Sequence, residues 1–216
     1  VEGQRSGYGT LYANGDVQYV GEWKEGRFEG TGTMYNIKNG KRMYHGSWCL
    51  GRRHGDGTSF SKSEKKEEVK TYEGQWVFDK AQGFGTLMKK GRVFYTGQMF
   101  SNAPHGIGKL FDDDGNLVFS GHIENSSPHG YGSLYKDGKM VFQGEWIRGF
   151  RHGEGKCFLT NCTGVWNYGR FLRSETVEDI EKQNNPTSPR CMICQYLIIP
   201  GSSSYAFSGC GHRCIC

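Results

Sequence analysis

One pattern recurs seven times, and it decides what this chain can fold into. Its clearest copy is Gly130-Tyr131-Gly132-Ser133-Leu134-Tyr135, then Asp137-Gly138, then Phe142-Gln143-Gly144-Glu145-Trp146. The frame reads G-x-G-x-L-[YF], a turn, [YF]-x-G-x-W and a second turn. Copies start at Gly7, Gly30, Gly55, Gly83, Gly106, Gly130 and Gly153, spaced by 23, 25, 28, 23, 24 and 23 residues. A period of this length specifies stacked units, none of which buries its apolar side alone.

Each copy reads as a β-hairpin. Two short aromatic-rich runs flank Asn14-Gly15, Asn39-Gly40 or Asp137-Gly138. Such dipeptides favour the primed turns whose twist suits a hairpin. Thirty-four glycines sit at repeat positions with no collagen period, so they report turns and close backbone approach. The 13 Phe, 12 Tyr and 5 Trp supply the core that glycine cannot. A lone hairpin is marginal in water, whereas stacked hairpins bury a continuous stripe. The expectation is an all-β, elongated, solenoid-like antiparallel ribbon of stacked hairpins, with Leu11, Tyr19 and Trp23 type positions able to pack. The second half weakens to Tyr95-Thr96-Gly97-Gln98-Met99 and Phe119-Ser120-Gly121-His122-Ile123, and Cys162 replaces the aromatic in the last copy.

The pattern resembles the MORN repeat family across 7–171. The resemblance implies a ribbon of β-hairpins that acts as a scaffold, self-associates or lies near membranes, in some members through phosphoinositides, without catalysis of its own.

The net charge is +5, of which residues 174–216 contribute −1 and the rest +6. That mild bias suits an anionic partner and falls short of a nucleic-acid-binding signature. Lys24, Arg27, Arg52, Arg53, Arg148, Arg151 and Arg170 fall at inter-repeat turns. In register they would line one edge as contacts for anionic phospholipid, with solvated turn charge as the plain alternative. His54, His105, His129 and His152 each precede the first Gly of a copy. Equivalent positions lie about 10 Å apart, two strands away, too far for one zinc with ligands near ~2.1 Å. They read as turn residues. The run 61–70 lengthens the third hairpin with mixed charge. No apolar stretch is long enough to cross a bilayer, and no catalytic triad, P-loop or dinucleotide fingerprint occurs.

Composition changes after Phe171. Residues 172–190 read as a short helix from Ser174 to Gln183 and an Asn/Pro/Ser linker. Five of the eight cysteines lie in the last 26 residues. This clustering argues for a metal and a reducing compartment, hence a cytoplasmic protein, membrane- or cytoskeleton-associated if the ribbon docks there. Cys191, Cys194, Cys210, His212 and Cys216 are thiolate and imidazole donors at zinc spacing.

The order over 191–216 resembles the opening of a C3HC4 RING finger, most similar to RINGs of the Neuralized kind. The resemblance implies Zn2+ at Cys191, Cys194, Cys210, His212 and Cys216, with Cys214 extra and the remaining ligands beyond Cys216. It implies that Ile193 touches a ubiquitin-conjugating enzyme. The resulting expectation is a MORN scaffold within a longer E3 ubiquitin ligase that brings a protein substrate to that enzyme. The alternative is a non-catalytic adaptor at a membrane or cytoskeletal structure with an interaction-only zinc tail. Exposed sheet edges leave homodimerisation open.

Overall fold

A computed structural model describes residues 3–62 and 68–172. The helix expected over 174–183, the linker and the cysteine-rich tail lie outside the described residues. The described chain is all β: fifteen antiparallel strands follow one another in chain order. They fall into two compact units that divide between Ala103 and Pro104, immediately after the first residue of the ninth strand.

The first unit holds β1 (Gly7–Ala13), β2 (Asp16–Lys24), β3 (Arg27–Tyr35), β4 (Arg42–Cys49), β5 (Arg52–Lys62), β6 (Glu68–Val77), β7 (Lys80–Lys89) and β8 (Arg92–Phe100). The second holds β9 (Ala103–Phe111), β10 (Leu117–Glu124), β11 (Ser127–Lys136), β12 (Lys139–Ile147), β13 (Phe150–Cys157), β14 (Cys162–Asn167) and β15 (Arg170–Leu172). Odd strands carry G-x-G-x-L and even strands carry [YF]-x-G-x-W, so each copy is one hairpin as expected.

Register explains why the pattern needs those residue types. In the first unit Leu11 faces Tyr19, Met34 faces Tyr44 and Leu87 faces Tyr95. Every second residue shares a face, which puts these pairs, the paired glycines and the Trp on one side. The facing glycines leave room for a ring. A Cβ added at Gly32, Gly57 or Gly85 would overlap the ring of Tyr19, Tyr44 or Tyr72. The tyrosines are at most 3% exposed, so these rings are the core. Tyr19 and Tyr44 are edge-on to the Trp of their own copy and of the next, Tyr19 to Trp23 and Trp48 and Tyr44 to Trp48 and Trp76, at 5.1–5.5 Å between centroids, and Tyr72 is edge-on to Trp76. That geometry places ring edges on ring faces, the favourable quadrupole arrangement. Indole N–H groups of Trp23, Trp48 and Trp76 donate to the carbonyls of Gly9, Gly32 and Gly57.

The second unit repeats the scheme with phenylalanine. Phe119 and Phe142 lie over Gly132 and Gly155, edge-on to Trp146, and Phe142 also meets Trp166. Trp146 donates to the Gly132 carbonyl at 3.0 Å. In the last copy the Leu–aromatic pair becomes Cys157 facing Cys162.

The turns correct one expectation. Asn14-Gly15 and Asp137-Gly138 have both residues at positive φ, 55° and 89°, and 51° and 73°, as primed turns require. Asn39-Gly40 does not: of the two only Gly40 is left-handed, at 68°. It belongs to a longer loop in which the Gly40 N–H donates to the Asn36 carbonyl and the Lys38 N–H to Asn36 Oδ1. The Asn36 side chain satisfies the backbone in place of a two-residue turn.

Candidate functional site

The edge that carries the inter-repeat turns is built by repetition. Seven such turns lie wholly within the described residues, each two residues long with both residues left-handed: Glu25-Gly26, Leu50-Gly51, Phe78-Asp79, Ser101-Asn102, Asn125-Ser126, Arg148-Gly149 and Tyr168-Gly169. Within the first unit each second turn residue reaches back one copy. Gly26, Gly51, Asp79 and Asn102 donate their N–H to the carbonyls of Arg5, Phe28, Arg53 and Ala81. Where that residue has a polar side chain, the side chain returns a bond: Asp79 Oδ1 accepts from the Arg53 N–H and Asn102 Oδ1 from the Ala81 N–H. Ser126, Gly149 and Gly169 continue the ladder in the second unit, to Pro104, Pro128 and Arg151.

This ladder fixes where the basic residues point. Lys24 and Arg27 are a directly opposed pair at the end of β2 and start of β3. They are exposed, as are Arg52, Arg148 and Arg170. Arg53 and Arg151 depart from the expected row of lipid contacts. Arg53 turns onto the aromatic face, with its guanidinium 4.2 Å from the Trp76 ring centre, its Nε 3.0 Å from Asp79 Oδ1 and a further bond to the Asp79 carbonyl. Arg151 is 7% exposed and lies over Phe142. The reason is the pleat. Residues one and two after a turn face opposite sides, so Arg52 and Arg53 cannot share an edge. The sequence reading missed Lys80, exposed at the strand position of Arg27 and Arg52. Counting from each turn would have found it.

The same count exposes a second missed set. At several copies the residue two places after the left-handed turn glycine covers the aromatic face: Arg5 over Trp23, Phe28 stacked on Tyr19 at 3.9 Å, and Arg53 over Trp76 in the first unit. Arg151 over Phe142 and Phe171 against Trp166 do so in the second. Cation–π attraction makes arginine a suitable cover for a ring face.

The histidines lie in strands and not in the turns, at the third residue of β5, β9, β11 and β13. His54 packs on Phe78 and His152 on Tyr168. His129 Nε2 lies 3.3 Å from Glu124 Oε2, with the His122 ring 6.3 Å away. Among the described residues no group of three or more His, Cys, Asp or Glu is placed to hold a metal. Cys191, Ile193, Cys194, Cys210, His212 and Cys216 lie outside the described residues.

The insertion in the third copy is tied down at its far end. Glu68 accepts from the Arg42 N–H at 2.8 Å and its Nε at 2.9 Å, and the Arg42 guanidinium lies over Phe60. These bonds from Arg42 hold the Glu68 carboxyl below the usual carboxylate range. The buried tyrosines shift the other way. Burial pushes Tyr72 and Tyr95 up to about 12, and Tyr19 and Tyr44 are raised further by burial, with a contribution from the Glu22 carboxylate at Tyr19.

The family model for the MORN repeat matches residues 1–17, 19–41, 72–90, 95–117 and 142–161. The first matched stretch begins six residues ahead of Gly7 and the others lie within the repeats; the run from Cys191 to Cys216 is not among them.

Proposed function

The chain carries MORN repeats, and on that footing we propose that it is a scaffold whose inter-repeat turn edge engages an anionic partner. One observation carries the reading. The residues common to the copies are consumed in the frame, as ring on glycine and indole on carbonyl, while Arg27, Arg52 and Lys80 occupy one equivalent, exposed position in three successive copies. Successive positions of this kind lie about 10 Å apart, the scale of neighbouring lipid headgroups, and each cation near an anionic membrane adds about 1 kcal/mol. Sedimentation with phosphatidylcholine vesicles, with and without a phosphoinositide, tests it. Binding should require the anionic lipid, and Arg27→Glu, Arg52→Glu and Lys80→Glu together should abolish it. Retained binding by the triple variant would rule this edge out.

The spacing of Cys191, Cys194, Cys210, His212 and Cys216 favours an added role for the tail. On this reading the five donors begin a RING-type finger, and Ile193 presents an apolar contact to a ubiquitin-conjugating enzyme in the cytoplasm. Bound Zn2+ would supply cross-links that fold the finger. Native mass spectrometry of the chain beside Cys191→Ser tests this: zinc retained by the variant, or absent from both, removes the reading. A ubiquitin-discharge assay with Ile193→Ala then separates a ligase from a zinc module that only binds.

A further inference from the structure

The turn row of the first unit holds more than cations. Its turns are closed by directly opposed strand residues: Lys24 with Arg27, Cys49 with Arg52 and Val77 with Lys80. The tip between the first pair carries the exposed Glu25. The next two tips are apolar. Leu50 is 57% exposed and Phe78 45%, with Val77 beside Phe78 at 36%. Neither tip residue suits its backbone. Leu50 and Phe78 lie in the left-handed region, at φ 52° and 44°, where a bulky side chain is an outlier and Asn is enriched. Other copies place Ser101 and Asn125 at this position, both at φ 48°. The turn therefore does not require an apolar residue there, and core burial does not account for one. The Phe78 ring lies beside the cations, 6.0 Å from the Arg52 guanidinium and 4.8 Å from the His54 ring. The acidic groups at these two tips are engaged: Glu29 Oε2 accepts from the Leu50 N–H, and Asp79 Oδ1 from Arg53.

We propose that Leu50 and Phe78 insert into the interfacial layer of an anionic bilayer while Arg52 and Lys80 beside them hold its headgroups. This rests on the cationic role of the edge proposed above, and it makes a lipid surface, not a soluble anion, the partner. Charge complementarity sets the sign of the occupant, and the apolar tips set its polarity. A soluble phosphate compound would meet the cations and leave both apolar side chains in water. A bilayer interface takes both kinds of group, since cations stay at headgroup level while apolar side chains reach the acyl boundary. The spacing agrees with this. Equivalent positions in successive copies lie about 10 Å apart, so the two tips and their cations can meet one surface together.

Leu50→Asn with Phe78→Asn removes the apolar tips and leaves every cation. Both substitutions suit the left-handed backbone, as Asn125 does, so thermal melting should show a fold at least as stable. In sedimentation with phosphatidylcholine vesicles containing a phosphoinositide, the double variant should bind about tenfold more weakly than the unsubstituted chain, through the apolar burial it forgoes. A second variant reads insertion directly. Phe78→Trp should bind as the unsubstituted chain does, and vesicles brominated on their acyl chains should quench its added fluorescence. The five native Trp are buried and give the background, measured in the unsubstituted chain. A soluble inositol phosphate should bind more weakly than the vesicles, and equally to the unsubstituted chain and the double variant. The proposal is overturned by vesicle binding that the double variant retains in full, by quenching no greater than background, or by a soluble inositol phosphate bound as tightly as the vesicles. If Arg27→Glu, Arg52→Glu and Lys80→Glu together still abolish vesicle binding, such a result removes the insertion and leaves the cationic edge standing. Vesicle binding absent from the unsubstituted chain removes both.

Discussion

In the first unit the ring over each facing glycine is a tyrosine; in the second it is a phenylalanine. Tyr19, Tyr44 and Tyr72 donate their hydroxyls to the carbonyls of Glu22, Ser47 and Gln75, three residues on. Phe119 and Phe142 fill the same slot at 0% exposure with no hydroxyl to place. The interaction common to both units is therefore the ring on the glycine and its edge-on contact with Trp. The hydroxyl bond is an addition to that frame, and burial of these hydroxyls makes the first unit sensitive to alkali.

Alkaline titration should separate the two most sharply. The folded-state pKa of these tyrosines lies above the ordinary 10.0, so the fold holds the proton that the unfolded chain would release. Their stabilisation is complete below pH 10 and is lost as pH rises through about 12 for Tyr72 and Tyr95. Tyrosinate absorbance should show a late step coinciding with loss of near-ultraviolet circular dichroism. Tyr72→Phe with Tyr95→Phe should diminish the step, and an unchanged titration would contradict the assignment.

Removing the shared part should affect both units alike. Trp76→Ala and Trp146→Ala should each cost about 3–5 kcal/mol by urea denaturation, since each indole is buried and bonded to a glycine carbonyl. Gly57→Ala and Gly132→Ala should each cost about 1–3 kcal/mol, because the added Cβ overlaps the Tyr44 or Phe119 ring. A large difference between the units in either pair would show that the slot is not equivalent. The hydroxyl itself is the smallest part. Tyr44→Phe should cost about 1 kcal/mol, with the melting temperature still cooperative. A cost as large as that of the glycine variants would make the hydroxyl bond part of the frame.

Much of this fold is readable because the pattern is local and repeated. G-x-G-x-L and [YF]-x-G-x-W alternate with period two, so strand type, hairpin pairing and the need for glycine under the rings all follow from spacing. Asn14-Gly15 and Asp137-Gly138 are likewise readable, as their backbone preference is intrinsic. Asn39-Gly40 is not, since the choice fell to the Asn36 side chain. The tight turns at Phe78-Asp79, Ser101-Asn102 and Asn125-Ser126 contain no glycine. Left-handed backbone there is imposed by the strand register and by bonds to the preceding copy, so a local reading does not anticipate it. The candidate site was legible as a set of cations near turns and illegible as a surface, because Arg52 and Arg53 diverge and Lys80 joins the row only when positions are counted from the turn.

The sequence by itself determined the repeat, its hairpins and the residue types of the core, because each depends on periodicity and on steric limits that every copy restates. Tertiary structure decided which arginines become part of the frame and how each turn is held by its predecessor. Those depend on what the neighbouring copy presents across the strand junction, and no copy encodes its neighbour.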